Sequence, residues 1–155
     1  IPPPTRGKYH FNCADENHTG CVDYLEYVLE MEGDVGAIIA EPMRWTTVEL
    51  PPKTYWQRVR EICDRHDVLL IFDEVITAFG RIGDWFAASA FNVVPDMLNV
   101  AKQITNGTFP LGAVILKDKI YAAFMESGGD SHNVELPHGY TYSSHPVACA
   151  AAKAS

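Results

Sequence analysis

The chain has 155 residues, 47% of them hydrophobic, which is enough for one domain with a core of its own. Twelve basic against twenty acidic residues give a formal charge of −8, a balance that argues against a nucleic-acid surface or an anionic membrane as partner. No run reaches the roughly 18 apolar residues of a membrane-spanning helix, and no basic, then apolar leader opens the chain, so a cytoplasmic protein is expected.

Residues 1–21 are rich in Pro, Gly, Asn, His and Cys, show no period, and read as a connecting arm. Within them His10, Cys13, His18 and Cys21 have the spacing H-x2-C-x4-H-x2-C, but the order matches no standard zinc knuckle. The arm is read as a polar loop and no metal is expected. The four cysteines form no CxxC pair, so free thiols are the default. Residues 22–155 read as a partial large domain, truncated at both ends: the chain starts at Ile1-Pro2-Pro3-Pro4 and stops inside the alanine-rich pattern Ala151–Ser155.

From Val22 to Met31, Tyr24, Leu25, Val28 and Leu29 suit an amphipathic helix, with Gly33 as its stop. Gly36–Pro42 reads as a short buried strand broken by proline, which puts Glu41 at a strand's C-terminal end. After two prolines, Tyr55, Val59, Ile62, Cys63 and His66 share one face of a helix, with His66 at its end. Val68–Phe72 is too short for a helix and reads as a central parallel strand ended by Asp73 and Glu74. Gly80 and Gly83 flank a turn, Trp85–Phe91 reads as a short helix, and Met97–Ala101 as the next strand, ending at Lys102. Thr105-Asn106-Gly107 makes a turn, Leu111–Leu116 is a β-type run, and Asp118 is placed to cap a helix reaching Met125. Ser127–Asn133 reads as a loop. His138–Pro146 sets hydroxyls and imidazoles ahead of a last helix.

The chemistry is carried by the apolar run Leu69–Phe72 that ends on Asp73-Glu74, and by Lys102 at the end of the next strand. A βαβ crossover brings such an acid and amine to one rim of a parallel sheet. Pyridoxal phosphate needs that pair, a lysine to hold its aldehyde and a carboxylate to keep its ring nitrogen protonated. Taken singly, Asp73-Glu74 would be a helix cap or solvated edge and Lys102 a surface lysine. It takes their joint spacing and the matching strings given next to overturn both readings.

With these residues assembled, the chain resembles the class III aminotransferases, pyridoxal phosphate enzymes of fold type I, and within them the ω-amino acid:pyruvate type. The matching strings are IIAEP, YWQRVREICDRHDVLLIFDEVITAFGRIG, PDMLNVAKQITNG, PLGAVI and HGYTYSSHPVACAAA, from Gly36 to the last residue. The resemblance implies an α/β fold, a mostly parallel sheet flanked by helices. It also implies transfer of an amino group from an ω-amino acid or amine to a keto acid such as pyruvate. By position, Lys102 matches the Schiff-base lysine, which also moves the proton. Asp73 matches the aspartate that pairs with the ring nitrogen, and Val75 the residue packed on the ring. Glu41 matches a glutamate that orders the hydrogen-bond network. Thr141 matches a threonine that reaches the cofactor phosphate of the neighbouring subunit, which implies a homodimer with shared sites. Glu74, Arg81, His138 and His145 read as structural, and Trp85 and Phe86 as core.

Two features depart from the family pattern. Pro42–Val48 carries Arg44 and Trp45 where relatives have a glycine-rich turn, and Gln103 follows the lysine where glycine is common. The phosphate cup, the ring-stacking aromatic and the carboxylate-binding arginine fall outside the matched strings. The rival expectations are an aminomutase, decarboxylase or racemase on the same scaffold, or a truncated chain without activity.

Overall fold

A computed structural model of the chain describes residues 20–128 and 136–155. The elements run α1 (Gly20–Glu32), β1 (Ala37–Ala40), α2 (Tyr55–Arg65), β2 (Leu69–Asp73), α3 (Ala87–Ala90), β3 (Met97–Ala101), a 3-10 turn (Lys102–Thr105), β4 (Gly112–Leu116), α4 (Asp118–Ser127) and α5 (Pro146–Ala154). The strands form one sheet in the order β1-β2-β3-β4. β1, β2 and β3 are parallel, with Ile39 opposite Ile71 and Ile71 opposite Met97, whereas β4 turns back antiparallel to β3. The expected mostly parallel sheet is therefore present.

Alternation along the strands decides which side is packed. Leu70 and Phe72 are buried, and with them Val22, Leu25 and Leu29 of α1 and Trp56, Val59, Ile62 and Cys63 of α2 form the core. Trp56 lies edge-on to Phe72, ring centres 4.7 Å apart, and to Tyr55 at 4.9 Å. Burial pushes the Tyr55 phenol up to about 12 and the Cys63 thiol up to about 11, so both are uncharged near neutrality. The opposite face carries Ile39, 60% exposed, and Val114, 55% exposed. Gly36–Pro42 is thus a shorter strand than expected and is half open, because it is an edge strand whose outer face nothing among the described residues covers.

Several local expectations are met. Gly33 takes φ 72° and its N–H donates to the Leu29 carbonyl at 3.1 Å, stopping α1. His66 is the C-cap of α2, with Nε2 3.4 Å from Glu26 Oε1. His145 caps α5 through Nδ1, which accepts the Ala148 N–H at 3.4 Å, and Pro146 is its first residue.

Other expectations need correction. α1 begins at Gly20, two positions before Val22, because Cys21 is 1% exposed and belongs to the core stripe. Cys21 is disulfide-bonded, which corrects the expectation of four thiols; Cys63 and Cys149 are free. Its sulfur is therefore no thiolate for the H-x2-C-x4-H-x2-C set, whose His10, Cys13 and His18 lie outside the described residues. Most of the Ser127–Asn133 loop lies outside them too. Asp118 is the first residue of α4, not its cap: Lys117 holds that place without a side-chain bond. Trp85 is 68% exposed rather than core, since its backbone closes the 79–85 turn and leaves the indole outward; Phe86 does pack on the core. Among the described residues no helix is long and apolar enough to cross a membrane.

Glu74 shows why the loop after β2 is rigid. Its carboxylate is fully buried and accepts the N–H groups of Ala87 at 2.7 Å and Ala88 at 2.8 Å and the Thr77 hydroxyl at 3.0 Å. It serves as the cap that Phe86 cannot supply. Glu74→Ala is expected to cost roughly 2–4 kcal/mol, because two buried N–H groups lose a charged acceptor. The shift of the urea unfolding midpoint in the full-length protein measures it.

Candidate active site

Parallel strands put all their C-terminal ends on one rim. β1 stops at Ala40, so Glu41 stands just past it; β2 ends on Asp73; β3 stops at Ala101, so Lys102 begins the next turn. A cleft of ≈ 330 Å³ opens at this rim, and Glu41, Asp73, Val75 and Lys102 all line it. Four of the five expected site residues are thereby brought together. Thr141 is not: it lies exposed in the turn that precedes α5, away from the cleft lining.

Each group has a fixed setting. Asp73 Oδ1 accepts the Val75 N–H at 3.1 Å, so the carboxylate is tied to the residue that forms the apolar wall beside it. One position on, the buried Glu74 bolts the same loop to α3. Glu41 Oε2 accepts the Trp45 N–H at 2.9 Å, and the Pro42 carbonyl accepts the buried Trp56 Nε1–H at 3.1 Å, which pins this side of the rim to α2. Lys102 is exposed, and the cleft around it is open.

Met43, Trp45 and Ile76 complete the lining and were not picked out as site residues from sequence. A signal for Trp45 did exist in the departure from the glycine-rich turn at 42–48. The segment folds as a tight turn, with the Val48 N–H on the Arg44 carbonyl at 2.9 Å and a bridge between Arg44 and Glu49. That turn leaves the Trp45 indole at the cleft, 60% exposed.

A second cavity, ≈ 380 Å³, lies at the opposite end of β3 around Val93, Pro95, Leu98 and Ile115. Its two charged lining residues, Asp96 and Lys117, are ion-paired to each other at 3.0 Å. The rim cleft, by contrast, is lined by the amine of Lys102 and the carboxylates of Glu41 and Asp73.

Comparison with known proteins bears on the family. The family model described as Aminotransferase class-III matches residues 3–155. β-Alanine–pyruvate aminotransferase of Pseudomonas aeruginosa is 52% identical over 143 residues, covering 88% of this chain and 32% of that protein. (R)-1-Hydroxy-2-aminoethylphosphonate ammonia-lyase of Vibrio splendidus is 45% identical over 148 residues, 93% of this chain and 29% of that protein. An amine transaminase from an uncultivated Pseudomonas species, solved in its PLP-bound form, superposes with a TM-score of 0.80 at 47% identity, covering 86% of this chain and 30% of that one. The chain spans about a third of the length of the curated relatives it matches.

Proposed function

The chain belongs to the class-III aminotransferase family, and from that premise we propose that its protein is a pyridoxal-phosphate-dependent aminotransferase, moving an amino group from an ω-amino acid or amine to a keto acid such as pyruvate. The observation that supports this most is the convergence of Lys102, Asp73 and Val75 on one cleft at the ends of parallel strands. An amine, a carboxylate and an apolar wall are the donor set that an aldehyde-bearing pyridine ring requires, and ≈ 330 Å³ lies within the usual range for a small-molecule site. The residues present fit the group.

When bound, pyridoxal phosphate supplies an electron sink conjugated to the reacting carbon. The protein's side chains do the rest. Lys102 Nζ would anchor the cofactor covalently and, once displaced by the donor amine, serve as the base that takes and returns the α-proton. Asp73 would hold the proton on the ring nitrogen, in an orientation its bond to the Val75 N–H already sets. Val75 would pack on one ring face, and Glu41 would order the polar groups at the cleft mouth. Thr141, exposed at the surface, would reach a cofactor phosphate across the interface of a homodimer. We place the protein in the cytoplasm on its acidic balance, a formal charge of −8.

A second reading, favoured by the likeness to an ammonia-lyase, keeps the cofactor and the lysine but ends in release of ammonia. Aminomutase, decarboxylase and racemase outcomes share that scaffold logic. Donor and acceptor assays on the full-length protein separate them: transamination consumes one keto acid per amine, and ammonia released without an acceptor would favour elimination. For the site itself, borohydride treatment of the protein with pyridoxal phosphate is expected to fix a pyridoxyl group on the peptide containing Lys102. Labelling of other lysines only would sink the assignment.

A further inference from the structure

Lys102 has φ 48°, in the left-handed region, where a residue with a Cβ stays only if its surroundings over-determine it. The restraint comes from the turn that follows. The Lys102 carbonyl accepts the Gly107 N–H at 3.2 Å and the Gln103 carbonyl accepts the Asn106 N–H at 3.0 Å. Both donors sit on exposed residues, where such bonds open readily. The buried anchor is Thr105, 1% exposed. Its hydroxyl donates to the Phe109 carbonyl at 2.6 Å and accepts the Phe109 N–H at 3.4 Å. Its own carbonyl accepts the Thr108 N–H at 3.0 Å and the Thr108 hydroxyl at 2.7 Å. The side chain thus closes residues 105–109 into a loop, and α5 packs against the adjoining turn at 102–105.

The loop has a second consequence. Phe109 and Gly107 line a further opening, ≈ 680 Å³, that Lys102 shares. Lys102 therefore stands between this opening and the Asp73 cleft, and the loop that the hydroxyl closes on Phe109 carries Gly107, whose N–H reaches the Lys102 carbonyl.

We propose that Thr105 is a positioning residue: its hydroxyl latch to Phe109 sets the backbone of Lys102 and so the place from which the amine works. Thr105 lines neither opening and acts only through the lysine. The inference rests on the reading of Lys102 as the cofactor anchor.

The test uses the full-length protein loaded with pyridoxal phosphate, with Thr105→Val, which keeps the branched shape and loses the hydroxyl, beside Thr105→Ser, which keeps it. Two readouts are taken, the pH midpoint of the bound cofactor's visible absorbance and the separate values of kcat and KM. Thr105→Val is expected to move the midpoint and to lower kcat roughly ten- to a hundredfold while KM stays within about threefold. Thr105→Ser is expected to restore both. An unchanged midpoint and kcat in Thr105→Val, even with a lower Tm, would overturn the proposal. If Thr105→Val does not fold, Thr105→Cys, a similar volume with a weak donor, is read by the same criteria. A wild-type protein with no cofactor absorbance would instead overturn the Lys102 reading, and this inference with it.

Discussion

Lys102→Ala in the full-length protein is expected to lower transamination by at least about 10⁴-fold, because on the proposed reading one side chain would supply both the covalent anchor and the proton carrier, and a positioned general base by itself is worth about 10²–10⁴. The loss should fall on kcat. It should not come from unfolding, since the side chain is exposed and makes no contribution to the core cluster. Lys102→Gly provides the sharper control. Glycine accepts φ 48° without a Cβ clash, so this variant is expected to be as inactive as Lys102→Ala yet more stable by about 1 kcal/mol. A thermal or urea melt beside the rate assay checks both halves. A Lys102→Ala variant that retained more than about 1% of wild-type kcat would remove the lysine from its assigned role.

Asp96→Ala is expected to be the most damaging substitution for stability, at roughly 3–5 kcal/mol. Asp96 precedes β3, at the end opposite Lys102, and its side chain is 1% exposed. Its carboxylate takes Arg60 Nη1 at 2.7 Å, the Nζ atoms of Lys117 and Lys119 at 3.0 Å each, and the Leu70 N–H of the neighbouring strand at 2.9 Å. Deleting it leaves the exposed Asp64, 2.7 Å away, as the ion-pair partner of the largely buried Arg60 guanidinium and orphans a backbone donor in the middle of the sheet. Burial by itself would raise the carboxyl's pKa, but the Leu70 N–H, Arg60 and the two lysines together hold it well below the usual carboxylate range. With the folded value depressed, the contribution is complete above the unfolded value of 3.8 and drains away as pH falls below it toward the folded value. Urea midpoints at pH 7 and pH 3 should therefore fall further apart in the wild type than in Asp96→Asn. Equal pH dependence in the two would refute the assignment.

The two carboxylates of β2 and β3 show where sequence reading reached its limit. Asp73 was legible because Lys102 lies just past the end of the next strand at the same rim, where a βαβ repeat brings the two ends together. Asp96 reads in one dimension as punctuation after Pro95. Its partners come from α2, from β2, from the β4–α4 connection and from the start of α4, and nothing local to it announces three cations. Glu74 was read as structural, and the structure adds the reason: it caps a helix that starts 13 positions later. Trp85 went the other way, since an aromatic beside a short helix carries no mark of which side the turn will leave it on.

By itself the sequence determined the order of the elements, the apolar period of each and the chemical types that end the strands, because period 2, period 3.6 and turn chemistry are local properties. It also placed Glu41, Asp73 and Lys102 at strand ends, and the family resemblance added Val75, so four residues that line the cleft were named as candidates without coordinates. Only the tertiary structure decided that Trp45 enters the cleft, that β4 runs antiparallel, that Lys102 adopts a left-handed backbone and that the Thr105 hydroxyl closes on Phe109. The bonds that hold these arrangements join residues brought together by the path of the chain, and their energies depend on burial and approach that no spacing encodes.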